Sequence, residues 1–111
     1  MTSEALAAYQ EALMRIEACH RKGEQGTTLD LINLGLTQVP PEIGQLTALR
    51  ELDLDNNQLT SLPPEIGQLA TLRQLDLSGN RLTNLPPEIG QLAKLRDIYL
   101  FNNLLTSLPP E

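Results

Sequence analysis

The chain has 111 residues and a formal net charge of −6, from 14 acidic and 8 basic side chains. The excess of acid argues against nucleic acid or an anionic membrane as the partner, because both need a basic face, and the length allows one domain with a single core. The single cysteine excludes an internal disulfide, and no signal peptide or membrane-length apolar run is present, so a cytoplasmic protein is predicted.

Residues 1–25 are predicted to form an N-terminal capping element built on a helix over 3–22. Ser3 is expected to cap the start of this helix, and Gly23 lies just beyond its end. One face carries residues at spacings of three and four, namely Leu6, Tyr9, Leu13, Ile16 and His20, with Ala5, Ala12 and Cys19 beside them. A cap over the open core of a repeat array is favoured, because terminal repeats need one; a partner-binding helix is the alternative.

From residue 26 onward the chain repeats every 23 residues. Residues 52–74 and 75–97 are identical at 17 of 23 positions. Within a unit, Leu52 and Leu54 alternate with aspartates, which is the period-two pattern of a short strand with one buried face. The units are therefore predicted to stack as successive coils around one continuous core.

The rest of each unit turns the chain back towards its start. Asn57, Asn80 and Asn103 hold one slot, where an amide can bond the backbone of neighbouring coils. The first unit has Leu34 in this slot, a departure expected at an edge of the array. The Pro-Pro-Glu-Ile-Gly phrase that begins at Pro63 predicts a short helical or 3₁₀ turn, because proline suits its first position and glycine soon weakens it.

The repeat pattern Leu49-x-x-Leu52-x-Leu54-x-x-Asn57-x-Leu59 resembles the leucine-rich repeat, whose units have about this length. The Leu-Pro-Pro-Glu-Ile-Gly-Gln-Leu phrase is similar to the intracellular, Ras-group type. That type occurs in free-standing bacterial and plant proteins and in the N-terminal repeats of Roco-family GTPases. The resemblance covers residues 26–111. It implies an α/β leucine-rich-repeat solenoid, a curved right-handed coil with parallel strands on the concave face and short helical or 3₁₀ turns on the convex face.

The chain stops within its fourth unit. Leu100, Leu105 and Leu108 are therefore expected to face solvent or another chain. One hypothesis is that the natural protein is longer, and the other is homo-association through this uncapped C-terminal end.

Function is expected at the outward-facing strand residues, which stack on the concave face into rows with about 5 Å between neighbours. Four rows follow from the repeat: Asp30, Asp53, Asp76 and Tyr99; Thr28, Glu51, Gln74 and Asp97; Ile32, Asp55, Ser78 and Phe101; and the flanking Thr27, Arg50, Arg73 and Arg96. Ten of these residues are the candidate partner-binding residues: Tyr99, Phe101, Arg50, Arg73, Arg96, Asp53, Asp76, Asp55, Glu51 and Asp97.

The acidic row, edged by arginines, suggests electrostatic recognition of a basic partner. The alternative is a solvated face on which arginine and aspartate satisfy each other. A metal site is not predicted, because oxygen ligands must converge from several directions and a row is straight. Tyr99 and Phe101 interrupt the polar rows, and aromatics are enriched at interface hot spots. Contact with further repeat units or with a C-terminal cap is the alternative for this pair.

Catalysis has little support in the sequence. Cys19 and His20 are the only cysteine and histidine, and as neighbours on a helix they diverge by about 100°, so they make a poor nucleophile–base pair. No phosphate-binding Gly-x-x-x-x-Gly-Lys-Ser/Thr loop is present, and neither an enzyme nor a cofactor is predicted. The predicted function is a protein-interaction module that uses the concave face. The recognition portion of a larger Roco-type GTPase and a purely structural spacer are the alternatives.

Overall fold

The computed structural model describes residues 1–106. One helix precedes four short strands: α1 (Ser3–Arg21), β1 (Thr28–Asp30), β2 (Glu51–Asp53), β3 (Gln74–Asp76) and β4 (Asp97–Tyr99). Four 3₁₀ segments accompany them: Gly23–Gln25, Pro41–Gln45, Pro64–Gln68 and Pro87–Gln91. Within the described part of the chain, no helix has the length and apolar character needed to cross a membrane.

The four strands form one parallel sheet in the order β1-β2-β3-β4. Its register pairs every residue with the residue 23 positions later, so that Leu29 lies beside Leu52, Leu52 beside Leu75 and Leu75 beside Ile98. The 23-residue period therefore becomes the step from one coil to the next, as the repeat predicted.

The core is a stack of aliphatic side chains enclosed by the coils. In the second unit, Leu52, Leu54, Leu59, Ile66 and Leu69 are fully buried. The corresponding residues of the neighbouring units join them in one continuous cluster, which confirms the predicted leucine stack.

The 3₁₀ turns lie on the side of each coil opposite the strands. In the turn Pro64–Gln68, the Ile66 amide donates to the Pro63 carbonyl at 3.1 Å, and the Leu69 amide donates to the Ile66 carbonyl at 3.3 Å. Gly67 also meets a packing requirement that the sequence did not reveal. A Cβ there would lie 2.9 Å from the carbonyl oxygen of Glu88 in the next coil, so glycine allows neighbouring turns to approach closely.

An asparagine ladder, formed by Asn57, Asn80 and Asn103, links successive coils. The Asn57 Nδ2 donates to the Leu31 carbonyl of the coil before it at 2.8 Å and to its own coil's Leu54 carbonyl at 2.9 Å. Its Oδ1 accepts from the Leu34 and Leu36 amides, both at 3.0 Å. Each asparagine thus serves the preceding coil, which explains why Leu34 is tolerated in the first unit, where no coil precedes it.

A left-handed backbone position, which the repeat pattern did not predict, recurs once in each unit. Asn33, Asn56, Gly79 and Asn102 share this slot, with φ between +56° and +71°. Only glycine and asparagine adopt this conformation at low cost, so the slot explains the residue that precedes each ladder asparagine.

Helix α1 packs against the first coil through a face that overlaps the predicted one but does not coincide with it. The buried residues are Ala5, Ala8, Ala12, Ile16 and Cys19, and four of them join the main core cluster. Leu6 is 48% exposed, and His20 is also exposed. The prediction that Leu6 and His20 belong to the packed face is therefore wrong, because small residues let the helix approach the coil closely.

Helix α1 begins at Ser3 as predicted, but its N-cap lies one residue earlier than expected. The hydroxyl oxygen of Thr2, not Ser3, accepts the Ala5 amide at 3.0 Å. At the edge of the sheet, the Arg15 guanidinium donates to the Asp30 carbonyl at 3.0 Å. The helix thus covers the first coil and satisfies a polar group of its outermost strand.

The fourth coil is less well covered than the coils before it. Ile98, Leu100 and Leu105 are partly buried against the core cluster, so the expectation that Leu100 and Leu105 face solvent or another chain holds only in part. Leu108 lies outside the described residues.

Candidate functional site

The side of the sheet opposite the core, here called the strand face, carries the predicted rows. Strand residues alternate between the core and this face, and the parallel register places Asp53 between Asp30 and Asp76. The last strand then places Tyr99 directly beside Asp76. We call Asp30, Asp53 and Asp76 the aspartate row.

The carboxylates at the centre of the strand face converge. Asp53, Asp55 and Asp76 each offer an oxygen, and these three atoms lie within 4.8 Å of one another. The Asp76 carboxylate accepts the Ser78 amide at 3.0 Å. The Oδ1 of Asp55 is buried and has no hydrogen-bond partner. A buried oxygen without a partner is unusual, and among residues 1–106 none donates a hydrogen bond to this one.

The pKa of Asp53 is raised above its ordinary value. Partial burial is the largest cause, and repulsion from the surrounding carboxylates adds to it in the order Asp55, Asp76, Asp30 and Glu51. The carboxylates crowd one another because the parallel register repeats the same residue type in adjacent strands.

The convergence of these carboxylates differs from the expectation of a straight row. Asp55 belongs to the neighbouring row and completes a triangle with Asp53 and Asp76. Three half-buried carboxylates of this kind are common on protein surfaces without an ion, and the ligands of a calcium site number about six to eight. The geometry is that of an acidic patch rather than of a built metal centre.

The arginine row, Arg50, Arg73 and Arg96, lies at the start of strands β2, β3 and β4. All three side chains are exposed. With Glu51, Gln74 and Asp97 they line a shallow depression of about 290 Å³. The backbone amides of Arg73 and Arg96 donate to the carbonyls of Arg50 and Arg73, both at 2.8 Å, which holds the three residues in register.

The aspartate and arginine rows do not pair with each other. Within residues 1–106, the ion pairs are Arg15–Glu11 at 2.8 Å and Arg21–Glu17 at 3.7 Å, both on α1. The alternative of a face whose arginines and aspartates satisfy each other is therefore not what the structure contains.

Tyr99 and Phe101, here called the aromatic pair, stack at the end of the strand face. Their ring centroids are 6.4 Å apart and their planes differ by 24°. Tyr99 is 36% exposed and Phe101 is 70% exposed. The Phe101 amide donates to the Ser78 hydroxyl oxygen at 3.2 Å, which fixes the backbone beneath the ring. The pair forms an exposed apolar platform beside the acidic patch.

Cys19 and His20 do not form a reactive pair. The Cys19 thiol is buried and donates to the Gly26 and Thr28 carbonyls at 3.6 and 3.7 Å. Burial raises the pKa of this thiol, and the nearby Lys22 only partly opposes that effect. A thiol held in the protonated form is a poor nucleophile, whereas His20 points to solvent.

All ten candidate residues lie on the strand face or its flank, as the repeat predicted. Two features were not predicted, namely the unpartnered Asp55 oxygen and the convergence of Asp55 with the aspartate row. The sequence does hold a signal for that convergence, because Asp55 lies two residues after Asp53 and therefore on the same side of the sheet. The missing hydrogen-bond donor depends on side-chain geometry and gives no signal in the sequence.

A stacked, parallel strand-and-turn coil with an asparagine ladder defines a leucine-rich-repeat solenoid. Residues 27–110 match the family described as a leucine-rich repeat region, and the chain belongs to that family. Leucine-rich-repeat domains are typical protein-interaction modules.

The solved structures that resemble the chain include two leucine-rich-repeat proteins. The leucine-rich repeat domain of the type III effector XopL aligns with a TM-score of 0.78, at 25% identity, covering 99% of this chain and 43% of that one. A leucine-rich-repeat protein of Leptospira interrogans is 31% identical, covering 83% of this chain and 36% of that one, with a TM-score of 0.49. The chain spans less than half the length of either structure. No curated protein matches it.

Proposed function

We propose that the protein binds another protein through its strand face. The observation that carries this proposal is the aromatic pair, which lies exposed beside unpaired acidic and basic rows. Burying an exposed aromatic side chain contributes strongly to association, and aromatics and arginine dominate interface hot spots. The family gives independent support, since its members typically bind proteins.

Charge on the strand face favours a specific partner. The carboxylates and guanidinium groups of the two rows are not paired with each other, so a partner does not have to break an ion pair before it binds them. A partner with opposite charges in matching positions is attracted, whereas one with like charges is repelled. We expect Asp53, Asp55, Asp76, Glu51 and Asp97 to act with the arginine row in this selection.

The proposal is tested by site-specific photo-crosslinking in the source cells. A photoreactive amino acid is placed at Ser78 on the strand face or, as the control, at Glu65 in a 3₁₀ turn. The protein cross-linked only from Ser78 is identified, and its affinity is measured for the wild-type chain and for Tyr99→Ala/Phe101→Ala. We expect the double substitution to weaken binding by at least about tenfold. Cross-linking only from Glu65, with unchanged affinity of the double variant, would refute the proposal.

A regulatory portion of a larger signalling enzyme, such as a Roco-type GTPase, is a second candidate. Its support is that the chain covers only 43% of the similar XopL repeat domain, so that structure extends beyond the matched part. A reading frame that continues into a phosphate-binding loop would establish it, and a stop codon after the last residue would exclude it.

Location and self-association are also proposals. We propose a cytoplasmic protein, tested by fractionating source cells with an antibody to the chain. Homo-association through the fourth coil is tested by sedimentation velocity of the purified chain, where a single monomer species over the whole concentration range would exclude it.

A further inference from the structure

The strand face and its flank present two charged rows that run parallel to each other. The arginine row lies on the flank, immediately before β2, β3 and β4, and the aspartate row crosses β1 to β3 about three residues further along. At about 3.3 Å per residue, the two rows lie about 10 Å apart. A partner that contacts both rows must therefore present opposite charges on two lines separated by that distance.

The spacing within each row favours a helix over an extended segment. Neighbouring parallel strands lie about 4.8 Å apart, so the three arginines span about 9.6 Å at the backbone. On an α-helix, residues i, i+4 and i+7 share one stripe and span about 10.5 Å. In an extended segment, side chains on one face are about 6.8 Å apart, which does not match the spacing of about 4.8 Å between neighbouring arginines. The length of one such helical stripe therefore matches the length of a row formed by three successive coils.

The separation of the rows also fits the width of a helix. An α-helix with its side chains is about 10–12 Å across, which is close to the distance between the arginine and aspartate rows. Two stripes on adjoining flanks of one helix can then reach both rows at once. The depression of about 290 Å³ along the arginine row, which Glu51 and Asp97 also line, leaves room for side chains of such a helix.

The aromatic pair continues the aspartate row. Tyr99 lies next to Asp76 in the register and takes the place of a fourth aspartate. A cation of a basic stripe that passes the three carboxylates would next meet the face of an aromatic ring, where cations are also attracted.

We propose that the strand face binds an α-helix of the partner, laid across the strands, with an acidic stripe over the arginine row and a basic stripe over the aspartate row and Tyr99. This inference rests on the proposed function and specifies the shape and charge of the partner. The occupant is one helix with two adjoining stripes of opposite charge.

The test uses two synthetic helical peptides of about 20 residues on an alanine background. The striped peptide carries glutamates along one stripe and arginines along the adjoining stripe. The mixed peptide has the same composition with the two residue types interleaved, and circular dichroism checks that the helix content is equal. Fluorescence anisotropy at low salt, with the whole chain, is expected to show at least about tenfold tighter binding of the striped peptide.

A charge-reversal variant locates the contact. Arg50→Glu/Arg73→Glu/Arg96→Glu is expected to abolish the preference for the striped peptide. A matched variant, Arg21→Glu/Arg81→Glu/Lys94→Glu, changes the net charge by the same amount at exposed residues outside both rows and is expected to keep the preference. Arg50→Gln/Arg73→Gln/Arg96→Gln repeats the test without added repulsion, and circular dichroism verifies folding of each variant.

Equal binding of the two peptides, binding of neither, or equal loss in both reversal variants would overturn this inference. The proposed function is tested separately by the cross-linked natural partner. If that partner cross-links from Ser78 and loses affinity with Tyr99→Ala/Phe101→Ala while the striped peptide shows no preference, the strand face binds a protein of another shape. If cross-linking occurs only from Glu65, both proposals fail.

Discussion

The side-chain nitrogen of Asn57 donates a hydrogen bond of 2.8 Å to the carbonyl oxygen of Leu31, which lies 26 residues earlier in the chain. The same amide group accepts two backbone N–H groups of the preceding coil. Stacking buries these polar groups, and without the amide they would have no partner. The repeat is thus held together by side-chain amides as well as by leucine.

Replacement of Asn57 by leucine should destabilise the protein, even though leucine occupies the same slot in the first unit as Leu34. The substitution leaves buried amides and carbonyls without partners, and we expect a loss of about 2–4 kcal/mol in the free energy of unfolding. Urea denaturation measures it. The control is Asn84→Leu, at an exposed asparagine, which should stay within about 0.5 kcal/mol. Equal effects of the two substitutions would contradict the proposed role of the ladder.

Asp53→Asn should stabilise the protein at neutral pH. The raised pKa of Asp53 means that its ionised form is less favourable in the folded than in the unfolded chain. Ionisation therefore lowers stability as the pH rises through the interval between the ordinary and the raised pKa. Removing the charge should stabilise by about 0.5–1 kcal/mol at pH 7, as expected for like charges opposite each other across strands.

The pH dependence of this gain gives the sharper check. Below the ordinary aspartate pKa, both folded and unfolded wild-type chains carry a protonated Asp53, so the advantage of Asp53→Asn should vanish. Urea denaturation of both proteins at a series of pH values measures the difference. Asp97→Asn, at an exposed carboxylate outside the row, serves as the control and should change stability by less than about 0.5 kcal/mol. A gain that persists in acid would exclude charge repulsion as its cause.

The left-handed slot should tolerate glycine and reject a β-branched residue. Asn56 has a φ of +58°, and a side chain branched at Cβ is strained there. We expect Asn56→Val to destabilise by about 1–2 kcal/mol and Asn56→Gly to remain within about 0.5 kcal/mol. Thermal unfolding followed by circular dichroism compares the two. Indistinguishable midpoints would show that the slot can relax.

The packed face of α1 can be tested by comparing two substitutions. Ala12 is fully buried against the first coil, whereas Leu6 is 48% exposed. Ala12→Leu should overpack the contact and cost about 1–3 kcal/mol, while Leu6→Ala should change stability by less than about 0.5 kcal/mol. Both values come from urea denaturation. The reverse order would mean that Leu6 rather than Ala12 lies against the first coil.

Much of the fold could be predicted because the same residue pattern recurs in every repeat unit. Leu52, Leu75 and Ile98 fall in one register only if the coils stack at 23-residue steps, and their alternation with polar residues identifies the strands. The buried face of α1 occurs only once in the chain, so no repetition corrects an error there. Alanines contribute little to a hydrophobic pattern, and Ala8 was missed, although small residues of this kind allow close packing.

The candidate site was predictable in position but not in its interactions. The period of two and the period of 23 together place Asp53, Asp76 and Tyr99 in one row. Whether arginine and aspartate pair depends on side-chain rotamers, and the structure places them apart. The left-handed slot was missed because Asn56 before Asn57 reads as an ordinary polar turn, and only the backbone dihedral angle separates their two roles.

The direction of the asparagine ladder makes growth of the array asymmetric. The second and third units each carry the ladder asparagine, whose side chain bonds the backbone of the coil before it. Duplication of either unit would therefore add a coil that still supplies these hydrogen bonds to its predecessor. A copy of the first unit inserted between existing coils would place Leu34 where an amide is needed, and would leave the coil before it with unbonded groups. Gene duplications that lengthen this protein should therefore be retained when they copy interior units, and lost when they copy the first.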